Sequence, residues 1–212
     1  MNLCFTRKIS LPVAGPAIVL ALTLGCTKKA DNNLNFANAI NTYYSAHPAC
    51  LWPSPIKFPV QADTSDASKT GGYDALVDQG LLVRTTDEKK VMIIASKQVN
   101  NYDISDRGRS AWTTDPDRPG FGNFCYGHRK VSTIDSSTPT SNDLGSTTQV
   151  AYHYTIGDIA AWASATETQT AYPRIRSDVA TPQVGNATLI KTNDGWKVGA
   201  ASRTTADGQI VE

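Results

Sequence analysis

Three features of the 212-residue sequence predict an α+β fold, with an N-terminal helix and a small helical lobe followed by an antiparallel sheet lobe. Leu34, Phe36, Ala37, Ile40, Tyr43, Tyr44 and His47 recur at spacings of three and four, the period of an amphipathic helix. Val150, Tyr152, Tyr154 and Ile156 alternate with their neighbours, as do Phe124, Tyr126 and His128 before Val131 and Ile134, which is the period of strands with one buried face. Asn193-Asp194-Gly195 separates Leu189-Ile190 from Trp196-Lys197-Val198, the turn chemistry of a tight hairpin.

In chain order, the first helix is expected to take an N-cap from Asp31, Asn32 or Asn33 and to stop at Pro48. Residues 48–60 hold four prolines among apolar residues, so an extended segment pinned by Cys50 and Trp52 is expected, with Phe58 and Val60 able to form an edge strand. Residues 62–72 read as a polar loop. Tyr73, Leu76 and Val77 then form one face of a short helix that Gly80 ends in the left-handed C′ conformation, and Leu81 to Arg84 leave as a strand. Lys90 to Ser96 reads as a buried strand, and Tyr102-Asp-Ile104 as an extended stretch before a helical turn opened by Ser105-Asp106. Residues 111–122 are expected to be a long loop. A polar loop, 136–145, joins the two alternating strands as antiparallel neighbours. Asp158 would cap a short helix containing Ile159, Ala160, Trp162 and Ala163, and residues 172–182 would be irregular.

The N-terminus carries Arg7 and Lys8 before a largely apolar run from Leu11 to Leu24, the make-up of a secretory leader rather than a span; Pro12 and Pro16 oppose a spanning helix. The run closes with Ala21-Leu22-Thr23-Leu24-Gly25-Cys26, which resembles the lipobox of bacterial lipoprotein precursors, with Thr23 where Leu is commoner. The resemblance implies removal of residues 1–25 as a signal peptide, lipidation of Cys26, a lipidated tether over 26–33, a helical lobe over 34–120 and a sheet lobe with a polar tail over 121–212. Each buried CH₂ of such an anchor contributes about 0.8 kcal/mol, so two or more acyl chains, palmitate among them, hold firmly. It further implies a place in the cell envelope facing the periplasm. Thr27 stands where many inner-membrane lipoproteins carry a retaining aspartate, which points to the outer membrane.

On that reading Cys4 leaves with the leader and Cys26 takes lipid, so Cys50 and Cys125 remain as a pair in an oxidising compartment, expected to form a disulfide that ties the two lobes together. Two buried thiols, or a metal site using His47 near Cys50, are the alternatives; one His and one Cys fall short of a zinc set, and no C-x-x-C occurs. Removing Arg7 and Lys8 from 20 basic residues leaves 18 against 19 acids, so neither nucleic acid nor an anionic bilayer surface is implied as partner.

The stretches Leu76-Val-Asp-Gln-Gly-Leu-Leu82 and Tyr102-Asp-Ile-Ser-Asp-Arg-Gly-Arg109 resemble two local signatures of winged-helix domains, a recognition helix entering the first wing strand and a closing strand entering the last helix. The resemblance covers residues 72–112. Asp74 and Asp78 on that helix would repel phosphate, so it implies shape rather than DNA binding.

No Gly-x-Ser-x-Gly elbow is present. Ser54-Pro-Ile-Lys57 and Lys69-Thr70-Gly71 match tripeptide and tetrapeptide spacings of penicillin-recognising enzymes, but Pro55 and Pro59 deny the serine its helix. Asp115-Pro-Asp117 has too few oxygen ligands for a calcium loop, and Trp52, Trp112, Trp162 and Trp196 read first as core. His128 and His153, on adjacent strands, are the candidate general bases. The expected function is a non-catalytic envelope lipoprotein that meets the membrane through its lipid anchor and acts through a surface for an envelope protein or a small ligand, with no cofactor, metal or nucleic acid. A periplasmic enzyme using His128 or His153 is the second expectation, and a DNA-binding regulator the third.

Overall fold

The computed structural model describes residues 26–92, 95–199, 203–204 and 210–211. Residues 1–25, expected to be a leader, and most of the polar tail lie outside the described residues.

Helix α1 (Cys26–Ala46) runs back through the stretch expected as a tether, so that stretch is helical backbone. Phe36, Ile40 and Tyr44, four apart, form its buried row, whereas Leu34 is 63% exposed and belongs to the opposite face. Pro48 follows the helix end, and β1 (Ala49–Cys50), β2 (Ile56–Lys57) and β3 (Val60–Asp63) come next. Helix α2 (Ala67–Asp78) starts six residues earlier than Tyr73, because Asp66 caps it: its carboxylate accepts from the Lys69 N–H. At the other end the Gly80 N–H donates to Val77 and the Leu81 N–H to Leu76, the paired bonds of a Schellman ending, with Gly80 at φ +70° as expected.

β4 (Leu82–Met92) and β5 (Ala95–Ile104) form one long hairpin. Lys90 pairs with Ser96 across it, so residues 90–96 hold both arms of a reversal and not a single strand; a short apolar run alone does not reveal where a chain turns. Helix α3 (Asp106–Ala111) is capped by Ser105, whose Oγ accepts from the Gly108 N–H. β6 (Trp112–Thr114) occupies part of the expected 111–122 loop and pairs with β7 (Phe121–Ser137). β8 (Thr147–Gly157) is antiparallel to β7, with Val150, Tyr152, Tyr154 and Ile156 buried in alternation. A 3₁₀ turn, Ala161–Ser164, follows Ala160; Asp158 sits at φ +54° and does not cap it. Helices α4 (Thr166–Ala171) and α5 (Pro173–Ala180) replace the irregular stretch expected near 172–182, with Pro173 at the first position of α5, where a missing N–H costs nothing. β9 (Gln183–Thr192) and β10 (Gly195–Val198) close the expected hairpin, Gly195 taking φ +114°. Two short strands, β11 (Arg203–Thr204) and β12 (Ile210–Val211), pair with each other.

The main antiparallel sheet runs β1-β7-β8-β9-β10, with β2 and β6 on opposite edges of the first part of β7. Helix α1 lies across β7, β9 and β10. Phe36 meets Trp196 edge-on at 5.2 Å, and the Asn41 Oδ1 accepts from the Val131 N–H at 2.8 Å where β7 is bulged. The smaller sheet runs β3-β5-β4 and packs with α2 and α3. Ring contacts run continuously from Tyr102 through Tyr73, Phe58, Trp112 and Phe124 to Trp162, so the two sheets share one core.

This arrangement redraws the expected division. α1, β1, β2 and β6 belong with the main sheet, and the smaller lobe is confined to residues 60–111. The disulfide is formed, but Cys50 and Cys125 are opposite residues on β1 and β7, inside one sheet. It does not bridge lobes; it closes the base of the excursion that builds the smaller one.

Candidate functional site

β7 brings Asn123, Cys125 and Arg129 to one groove, its register against β1 shifting between Cys125 and Gly127. α1 lies on β7 near Val131 and stops at Ala46, and beyond its end, nearer Asn123, a groove of about 310 Å³ is left open. One wall is the proline-rich segment with Pro48, Trp52 and Pro55; the other is Thr113 to Arg118. Asn123 fixes the first wall, its Oδ1 accepting from the Trp52 N–H at 3.2 Å and its Nδ2 donating to the Trp52 carbonyl at 2.7 Å. Those two bonds replace the strand pairing that prolines prevent nearby.

The charges in the groove are mostly paired. Arg118 Nε is 2.8 Å from Asp115 Oδ2, and the Asp117 N–H, followed by Arg118, holds the Asp115 carboxyl below its usual range. Arg174 Nε is 3.4 Å from Asp178 Oδ2, which also accepts from the Tyr126 hydroxyl at 2.6 Å. Arg129 differs. It is 4% exposed, its Nη1 donates to the His47 carbonyl at 3.3 Å, its guanidinium stands 5.6 Å from the Tyr44 ring centre, and it bonds the Tyr154 hydroxyl. Among the described residues no carboxylate lies within ion-pair distance of it, and its Nε is buried without a partner. Beneath it the Tyr44 and Tyr152 hydroxyls meet at 2.6 Å; burial pushes Tyr44 up to about 12 and Tyr152 and Tyr126 higher still, so all three stay neutral at physiological pH.

His47 Nδ1 is 2.8 Å from the Tyr43 carbonyl and its ring stacks on Tyr43 at 4.0 Å. Asp115 with Arg118 and Asp178 with Arg174 orient a charged surface; a proton-transfer pair would instead need one partner free to exchange its proton with a reacting group.

The residues singled out from sequence fall elsewhere. His128 is exposed opposite Gly157. His153 does meet a carboxylate, Asp135 Oδ2, at 2.7 Å, but both side chains are more than one-third exposed on the sheet and neither lines the groove. Asp74 is not the free acidic face expected: Arg84 pairs with it at 2.7 Å and the Tyr102 hydroxyl donates to it at 2.8 Å. Cys50 and Cys125 both line the groove. Among the described residues no group of three or more His, Cys, Asp or Glu is placed to hold a metal ion. Cys26 opens α1, and nothing further in the fold bears on its lipidation.

Arg129, Arg118, Arg174 and Asn123 escaped the sequence reading. The alternation of Phe124, Tyr126 and His128 puts Arg129 on the outward phase in sequence, and it is the register shift between Cys125 and Gly127 that breaks this phase. Comparison of the chain with family models, with curated proteins and with solved structures finds no match.

Proposed function

We propose that this chain is an envelope protein anchored through lipid on Cys26, and that its folded part is a non-catalytic binding module working through the groove at the end of α1. The observation that carries the reading is the groove itself, a concave surface on the sheet lobe with a buried guanidinium that has no carboxylate partner among the described residues. The disulfide supports export to an oxidising compartment. At about 1.5 Å per residue, the 21 residues of α1 would set the groove about 30 Å from the anchor, beyond the headgroups and open to periplasmic ligands.

Expression in a bacterium fed labelled palmitate tests the anchor. Label on the wild-type chain and none on Cys26→Ala is the expected result, and equal label on both would sink it. The second reading, a periplasmic enzyme, draws on the His153–Asp135 contact. Turnover of any ester or glycoside that falls at least a hundredfold in His153→Gln, with the fold intact, would favour it over the binding module.

A further inference from the structure

We infer that the groove takes a single carboxylate borne on an apolar body, with Arg129 as its anchor. The inference rests on the groove being a binding surface, as proposed above, and adds what it binds. Charge decides the headgroup. Arg118 is matched by Asp115 and Arg174 by Asp178, which leaves the Arg129 guanidinium without a matching carboxylate among the described residues. A buried guanidinium whose partners among the described residues are a carbonyl, a hydroxyl and a ring face gains most from one anionic acceptor, and a carboxylate matches its planar fork. A phosphate dianion would leave a second negative charge facing Asp115.

The rest of the ligand follows from the walls. Trp52, Pro48, Pro53, Pro55 and Pro116 offer rigid apolar surface, and Asn123 spends both ends of its amide on the Trp52 backbone, so it shapes the wall instead of reading the ligand. A volume of about 310 Å³ stands at the lower limit of small-molecule pockets, enough for a carboxylate and one large apolar side chain but not for a folded partner. A free aromatic or aliphatic acid and the C-terminal residue of a polypeptide present the same chemistry.

Calorimetric titration of the mature chain against four probes separates these. The probes are 3-phenylpropionate, a pentapeptide ending in a free Phe carboxylate, the same peptide as its C-terminal amide, and inorganic phosphate. The free-acid peptide is expected to bind at least tenfold tighter than the amide, and phosphate not to compete. Binding of 3-phenylpropionate as well assigns the groove to small acids; binding of the peptide alone assigns it to polypeptide ends. Arg129→Met should bring the free acid down to the affinity of the amide. Because that variant alters a buried network, Thr114→Trp at the exposed rim provides the second arm, expected to block both peptides while leaving the fold and Arg129 in place. Equal binding of acid and amide, both lost in Thr114→Trp, overturns the carboxylate inference and leaves the groove as a binding site. Binding unaffected by Thr114→Trp overturns the groove reading as well. Tighter binding of phosphate than of the acids, or no binding by any probe, overturns the inference.

Discussion

The two sheets of this protein are both antiparallel, and they are built on opposite terms. β7, β8 and β9 bury large apolar side chains against α1 and the aromatic residues around Phe124, with Tyr152, Tyr126, Phe124 and Leu189 fully enclosed. The β4–β5 hairpin buries its base, through Leu82, Tyr102 and Val99, while Val83 to Lys90 are exposed on both faces. Its arms are joined by the backbone ladder and by polar cross-strand pairs such as Thr86 with Asn100 and Asn101 with Asp87. One region is held by area removed from water, the other by contacts that water can replace. A site that must keep its geometry belongs on the first, and the groove lies there.

The disulfide is the strongest lever on this contrast, because residues 50 and 125 close a segment that contains the whole smaller lobe. With the cysteines separated by 75 positions in sequence, the chain-entropy argument assigns about 4–5 kcal/mol to the bridge. Cys50→Ala with Cys125→Ala should lower the urea midpoint accordingly; a change below about 1 kcal/mol would mean that the unfolded chain is already compact.

Packing gives the next largest effect. Leu189→Ala in β9 should cost about 2–5 kcal/mol in urea unfolding, whereas Val83→Ala in the hairpin should stay within about 0.5 kcal/mol. Comparable losses would erase the distinction between the sheets.

The buried tyrosines make the main sheet sensitive to alkali. Burial raises Tyr44 from 10.0 to about 12 and moves Tyr152 in the same direction. A raised native pKa stabilises fully below the unfolded value and is lost as pH climbs through the native one, so stability should hold to about pH 9 and fall between about 10 and 12. Tyr44→Phe, which removes one titrating hydroxyl, should flatten that fall, read by circular dichroism against pH.

At the junction of the lobes, the Ser105 Oγ caps α3 and donates to the Gly80 carbonyl at 2.6 Å. Ser105→Ala should cost about 1 kcal/mol. The smallest effect is expected on DNA. The helix α2 that enters β4 has Asp74 locked to Arg84 and a near-neutral chain around it, so a random duplex at about 150 mM salt should show no binding in fluorescence anisotropy, where ordinary non-specific binders fall at about 10⁻⁴ to 10⁻⁶ M.

What the sequence disclosed follows the range of the forces involved. Alternation in β8, the Gly80 helix ending and the Asn193-Asp194 hairpin were legible because each is decided within a few residues. β6 was hidden: Trp112 to Thr114 becomes a strand only because Phe124 to Gly122 lies opposite. Asp66 caps α2 from inside a polar stretch, where no apolar period marks the first turn of the helix. The α+β class and the Cys50–Cys125 pair emerged from composition and periodicity, yet the place of the bridge within one sheet depended on pairing between β1 and β7, 75 residues apart. The groove is the extreme case. It gathers the end of α1, a proline-rich segment, the turn before β7 and a side chain of α5, and no local pattern announces such a meeting.

Hydrogen exchange by mass spectrometry on the mature chain, with and without the peptide ending in a free Phe carboxylate, tests most directly whether function sits on the rigid sheet. Slowed exchange is expected in residues 47–55 and 112–118 upon binding, with the edge strand over residues 84–92 exchanging fast and unchanged in both states. Protection that appears in the hairpin, with the groove segments unaltered, would contradict the account.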